Sequence, residues 1–212
     1  MAEAERPTRW SLADLLPDPV EKSLEETLAQ LERAVVAFEA MREILTADVA
    51  VADFKTALTT LEKIATLKSR LEAYAELAFS ADTQNPAVLN LRDRVDQVAT
   101  DVDNRCLYFN IWFTDLPDGV AAGLIAQGGE LRYFLETIRK FKPFMLSEAE
   151  EQIINSKDVN GIDAIINLSE MISSALVFKL EVDGEQRSLT RDQLRTLFQN
   201  PSAGICCMAQ AG

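Results

Sequence analysis

Histidine does much of the acid–base and metal chemistry of proteins at neutral pH, and this sequence of 212 residues contains none. That removes the usual general base, most catalytic zinc sites and most Ser- or Cys-based nucleophile systems. Carboxylates, thiols and cations are left, and each group must show a constellation of its own. Glu148, Glu150 and Glu151 sit together directly behind Ser147. In the first turn of a helix such carboxylates favour the macrodipole, so capping is the plainer reading and acid–base work the sharper one. Asp93, Asp96, Asp101 and Asp103 recur among Arg92, Arg94 and Arg105, the pattern of a solvated, ion-paired helix face. Tyr108, Phe109, Trp112 and Phe113 are spaced for core or interdomain packing, with a ligand-binding wall as the alternative. Arg132, Arg139, Lys140 and Lys142 form a local basic patch. It could receive a carboxylate-bearing partner, or more simply form surface or interdomain ion pairs. Adjacent Cys206 and Cys207 would be half a metal site, but no second pair accompanies them and two incidental thiols suffice. There is no Walker loop, no GxGxxG after a strand and no GxSxG. No catalytic, cofactor-binding or metal-binding residue is assigned.

The elements that would position these groups are mainly helical. With only 8 Gly and 7 Pro to interrupt the chain, long helices are expected. Asp18-Pro19-Val20-Glu21 reads as a helix start, followed by Leu24, Leu28, Leu31, Val35, Phe38 and Leu45 at helical intervals. A second stripe runs through Phe54, Leu58, Leu61, Ile64, Leu67, Leu71, Tyr74 and Ala78. Asn85-Pro86 opens a third, carrying Val88, Leu91, Val95, Val98, Val102, Cys106, Phe109 and Phe113. Pro117, Asp118-Gly119 and Gly128-Gly129 break the pattern, and a shorter helix follows with Leu131, Phe134, Leu135, Ile138 and Phe141. Ser147 and Glu150 make a capping box for the next, and Asn160-Gly161 separates that helix from one over roughly 162–173. The period then changes to alternation in Phe178, Leu180 and Val182 against Lys179 and Glu181. Asp183-Gly184 turns that strand back into Gln186 to Leu189, and Thr190 to Gln193 caps a last helix with Leu194, Leu197 and Phe198. The expected fold is mainly α: an elongated helical hairpin or array, then shorter helices and one small β-hairpin. Its regions are a long-helix part over 1–114, shorter helices with the hairpin over 115–199, and a divergent tail over 200–212. An isolated two-stranded hairpin is barely stable, so this one must lie on neighbouring helices or on another part of the protein.

The net charge of −13 repels phosphate backbones and anionic headgroups, which argues against nucleic acid and membrane as partners. The N-terminus lacks the apolar core of a signal peptide, and no apolar run is long enough to span a bilayer. Three unevenly placed cysteines fit a reducing cytoplasm, so a cytoplasmic location is expected.

Several stretches, in order, resemble the N-terminal part of oligoendopeptidase F-type zinc peptidases. Trp10-Ser11-Leu12-Ala13-Asp14-Leu15 is similar to the family's opening segment, and Tyr74 to Thr83 to its Tyr…Asp-Thr stretch. Leu131 to Arg139 followed by Leu146 to Glu151 resembles its "Tyr–x–Leu–x–x–Ile–Arg, then Leu-Ser-Glu-x-Glu-Glu" signature, and Phe178 to Leu189 its hairpin. The resemblance covers roughly residues 10–200 and implies a helical, two-lobed zinc endopeptidase acting on short peptides in the cytoplasm. In that family an HExxH helix supplies two ligands and a general base, and a later Glu completes the site. This sequence has no HExxH, so no metal or catalytic residue carries over. The resemblance implies no cofactor in this chain and zinc only in the full-length family. The implied partners are the missing catalytic lobe or, in the full-length family, short peptides. The small, uncharged tail from Ala203 to Gly212 departs from the family pattern and reads as a frameshift or premature end, with a genuine short paralogue as the alternative. The expectation is a scaffold portion that is inactive alone. The alternative is a stand-alone helical interaction module.

Overall fold

The computed structural model describes residues 11–18, 20–182 and 185–197. Trp10, Pro19, the Asp183-Gly184 turn, Phe198 and the tail with Cys206 and Cys207 lie outside the described residues. The chain is mainly helical and divides into two compact units, Met1–Val159 and Asn160–Gly212.

The first unit is built on α1 (Val20–Glu39), α2 (Val51–Ala81) and α3 (Pro86–Asp115), which pack on one another. The side chain of Asn85 accepts a hydrogen bond from the Ala87 amide at 3.0 Å, and Pro86 takes the first helical position, so this start is set locally. Leu31, Val35 and Phe38 of α1 meet Phe54, Leu58, Ile64, Leu67 and Leu71 of α2 in one buried cluster. Val95, Val102, Phe109 and Phe113 of α3 complete it. Each such side chain contributes about 1.5–3 kcal/mol relative to exposure. Leu45 is buried as expected, but from the turn that follows α1 rather than from the helix itself. On α2 the buried stripe ends on Phe79, with Ala78 only half-buried.

Three further helices complete this unit: α4 (Asp118–Gln127), α5 (Arg132–Lys140) and α6 (Glu148–Asp158). They pack on α2 and α3, so the first compact unit runs on past the boundary drawn at residue 114 in the sequence and ends at Val159. The break at Gly128-Gly129 has a definite cause. Gly129 holds φ 56°, the left-handed region that favours glycine, and a Cβ on Gly128 would come within 2.6 Å of Leu135 Cδ1. The Ser147–Glu150 capping box is formed as expected, with the Glu150 carboxylate accepting from the Ser147 amide at 3.0 Å.

Asn160-Gly161 does not break the helix. Val159–Asp163 form a π-helical turn between α6 and α7 (Ala164–Ala175), so the wider i→i+5 winding absorbs the poor helix formers. The second unit continues with β1 (Val177–Val182), β2 (Glu185–Thr190) and α8 (Arg191–Leu197). The strands pair antiparallel with Phe178 opposite Leu189 and Leu180 opposite Arg187. Phe178, Leu180 and Leu189 are half-buried while Lys179 and Glu181 are exposed, the alternation read from the sequence. Thr190 and Gln193 exchange hydrogen bonds of 3.0 and 3.3 Å as the box that starts α8, and α8 packs on the hairpin through buried Leu194.

Candidate functional site

The carboxylates at the start of α6 have local work. Glu150 is held below the usual Glu range first by the Ser147 hydroxyl and then by its amide. Glu151 accepts from the Leu146 amide at 3.0 Å, and Glu148 takes a bidentate ion pair from Arg42 at 2.9 and 2.6 Å. They serve as caps and a tether.

The charged groups of α3 are packed rather than merely solvated. Arg105 donates to Glu39 at 2.8 and 2.7 Å, to Glu32 at 2.8 and 3.1 Å, and to Asp101 at 3.3 Å. These bonds clamp α3 to α1, raise the Arg105 pKa further and lower that of Glu39. Arg94 reaches Glu25 at 2.8 Å, and Lys68 of α2 reaches Asp103 at 2.6 Å. Arg92 pairs with Glu76 at 3.0 Å and lies over the Phe79 ring, 4.1 Å from its centroid. The aspartates and arginines were legible as a charged face. Their partners on α1 and α2 were not, because interhelical register is a tertiary fact.

The aromatic group is core. Phe109 and Phe113 are fully buried and stack with parallel rings 6.1 Å apart, and Phe54 stacks on Phe113 at 6.2 Å. The Tyr108 hydroxyl donates to the Phe38 carbonyl, and burial raises its pKa. Trp112 is half-buried, and its Nε1 has no partner among the described residues. Nearby Cys106 is buried, which pushes its thiol up to about 12 and keeps it protonated.

The basic patch is dispersed by its contacts. Arg139 donates to the Phe113, Thr114 and Leu116 carbonyls at 3.0, 2.6 and 3.0 Å and pairs with Asp118. It therefore satisfies the C-terminal carbonyls of α3 that a helix end leaves open. Arg132 pairs with Glu136 one turn on, and Lys140 lies over the Tyr133 ring. No common receptor for an acidic ligand results from these contacts.

Between α1 and α3 runs a groove of about 290 Å³ lined by Leu28, Leu31, Val98 and Val102 with Glu32, Arg94, Gln97 and Asp101. Its charged members are already engaged in the ion pairs above. Exposed apolar side chains lie elsewhere, on Tyr133, Phe141 and Phe144 in the first unit and along α7 in the second. The spacing of α7 residues marked a helix but carried no sign that its apolar side chains would stay uncovered.

The zinc implied by the resemblance does not fit the residues present. The sequence has no histidine, and among the described residues no three His, Cys, Asp or Glu groups converge where they could hold a metal ion. No helix of the described residues is long and apolar enough to cross a membrane.

Comparison with known proteins finds the pattern again. Residues 112–178 match the family model described as oligopeptidase F, a stretch that includes Leu131 to Arg139 and Leu146 to Glu151. The fold is similar to that of oligoendopeptidase-F from Enterococcus faecium, with a TM-score of 0.76 at 18% identity. The match covers 91% of this chain and 37% of that one, so the chain spans a little over a third of that protein's length. Comparison with curated protein sequences returns no match. Over residues 112–178 the chain is thus similar in sequence pattern to oligopeptidase F, and over 91% of its length it is similar in fold to the E. faecium oligoendopeptidase-F.

Proposed function

We propose that the chain is the scaffold portion of a zinc-dependent oligoendopeptidase acting on short peptides in the cytoplasm, and that it is catalytically incompetent by itself. The observation that carries this is the fold match, which takes in 91% of these residues but only 37% of the E. faecium protein. The metal ligands and general base of such an enzyme would then belong to a separate catalytic lobe. The helices of this chain would wall one side of a channel that admits only short, unfolded peptides. A wall needs rigid helices and a face for its partner, and α1 to α3 supply the first through their aromatic core. Helix α7 supplies the second: it buries no residue and exposes Ile165, Ile166, Leu168 and Ile172.

That uncovered face also suits a stand-alone interaction module, and the two readings separate at the gene. Under the scaffold reading, DNA beyond codon 212, read in any frame, encodes an HExxH-containing helical region. Downstream DNA without one contradicts that reading and favours the module. On the protein, quenched fluorogenic peptides should remain uncut with zinc present. Chelator-sensitive cleavage by a preparation free of host peptidases would overturn the incompetence.

A further inference from the structure

Helix α6 is docked on α3 the wrong way round for a permanent packing. A surface helix ordinarily turns its apolar stripe inward. On α6 the half-buried positions are Glu148, Glu151, Gln152 and Asn155, spaced three and four apart and all polar. Its isoleucines face solvent: Ile153 is 59% exposed and Ile154 42%. No residue of α6 is buried.

Hydrogen bonds and an ion pair link α6 to the rest of the first unit. Gln152 donates to the Asn104 carbonyl at 3.4 Å, and the Asn155 side-chain amide donates to the Asn104 side-chain oxygen at 2.9 Å. Asn104 in turn reaches the Ser156 hydroxyl at 3.4 Å, and Arg42 holds Glu148. Such bonds are exchanged for bonds to water with little net change, and the exposed ion pair is screened by salt. No apolar side chain of α6 itself is buried in this seam, so separating it exposes little apolar surface of the helix.

Two local features let α6 leave intact. Its first turn is satisfied by its own capping box, with Glu151 closing on the Leu146 amide, so none of those bonds depends on α3. The preceding Met145 and Ser147 are extended rather than helical, a short joint between α5 and α6.

We infer that α6 is a latch: a preformed helix that docks on α3 through Asn104 and the Arg42–Glu148 pair, and undocks without unfolding.

The test is the distance from α6 to the core. Spin labels placed at Lys63→Cys on α2 and Lys157→Cys on α6, both exposed, report it when Cys206 and Cys207 are replaced by Ser and buried Cys106 is left in place. Two distances are expected, with the longer one gaining about threefold in population in Arg42→Ala, Asn104→Ala or about 0.5 M salt. Far-ultraviolet circular dichroism should stay unchanged. The opposite substitution, Gln152→Leu with Asn155→Leu, gives the seam apolar contacts and should suppress the longer distance. An identical distance distribution in the parent and all variants would overturn the latch. So would a longer distance that arises only together with loss of helix.

Discussion

Helices α1 to α3 and helix α7 are both rich in apolar residues at helical spacing, yet they end in opposite states. Phe38, Phe54, Phe109 and Phe113 are completely buried, whereas Ile165 and Ile172 are 69% and 57% exposed. The difference is one of available mates. Each long helix presents its stripe to two others that carry matching stripes, and aromatic side chains from all three interlock at the centre. The second unit offers a six-residue strand pair and a seven-residue helix, and its described core is Leu194 with half-buried hairpin residues. An amphipathic pattern therefore predicts a face that seeks burial, and only a second face within the same chain makes it a core.

The comparison breaks most visibly at single side chains. Phe113→Ala should cost about 3–5 kcal/mol of stability, because it opens a cavity between two stacked rings. Ile165→Ala should stay within about 0.5 kcal/mol, since its side chain is already in water. Urea unfolding followed by helical circular dichroism measures both. Equal costs would mean that α7 is covered in solution.

A smaller contrast lies within the basic patch. Arg139→Ala should cost about 1–3 kcal/mol, because three main-chain carbonyls at the end of α3 lose their donor. Arg132→Ala, whose side chain is 67% exposed, should be close to neutral. The same denaturation series decides, and a reversal would show that the patch rather than the helix end is what Arg139 serves.

The pattern of what the sequence revealed follows the range of the interactions. Caps were legible: Asn85, the Ser147–Glu150 box and the Thr190–Gln193 box are all decided within four residues. So were the three long stripes and the two strands of the hairpin, which rest on simple periods. Asn160-Gly161 misled because poor helix formers suggest a stop, while a π-turn accommodates them without one. The role of Arg139 and the Glu32–Arg105–Glu39 cluster escaped because their partners lie more than twenty residues away. Among the candidate chemical groups, local spacing identified the caps and the aromatic core, while the basic patch is dispersed by tertiary contacts of Arg139 and by local contacts of Arg132 and Lys140 within α5.

That cluster makes the smallest prediction, one that concerns only the first unit. Arg105 lowers the Glu39 pKa on folding. The pair's contribution is therefore present above the ordinary Glu value of about 4.3 and is lost as pH falls through the lower folded-state value. Glu39→Gln should flatten the acid side of the stability curve by under about 1 kcal/mol. Urea midpoints collected between about pH 5 and pH 3 check the sign, since the opposite slope would require a raised carboxyl.

The central claim is that the first unit is complete in itself while the second awaits a partner. Hydrogen exchange of the monomeric chain, read residue by residue, tests it directly. Amides of α2 from Leu58 to Leu71 and of α3 from Val95 to Val102 should exchange only through global opening. Those from Ala164 through α7, the hairpin and α8 should exchange far faster, with protection rising when a catalytic lobe is supplied. Uniformly high protection through Leu197 in a monomer would contradict the account and mark the chain as a domain that needs no partner.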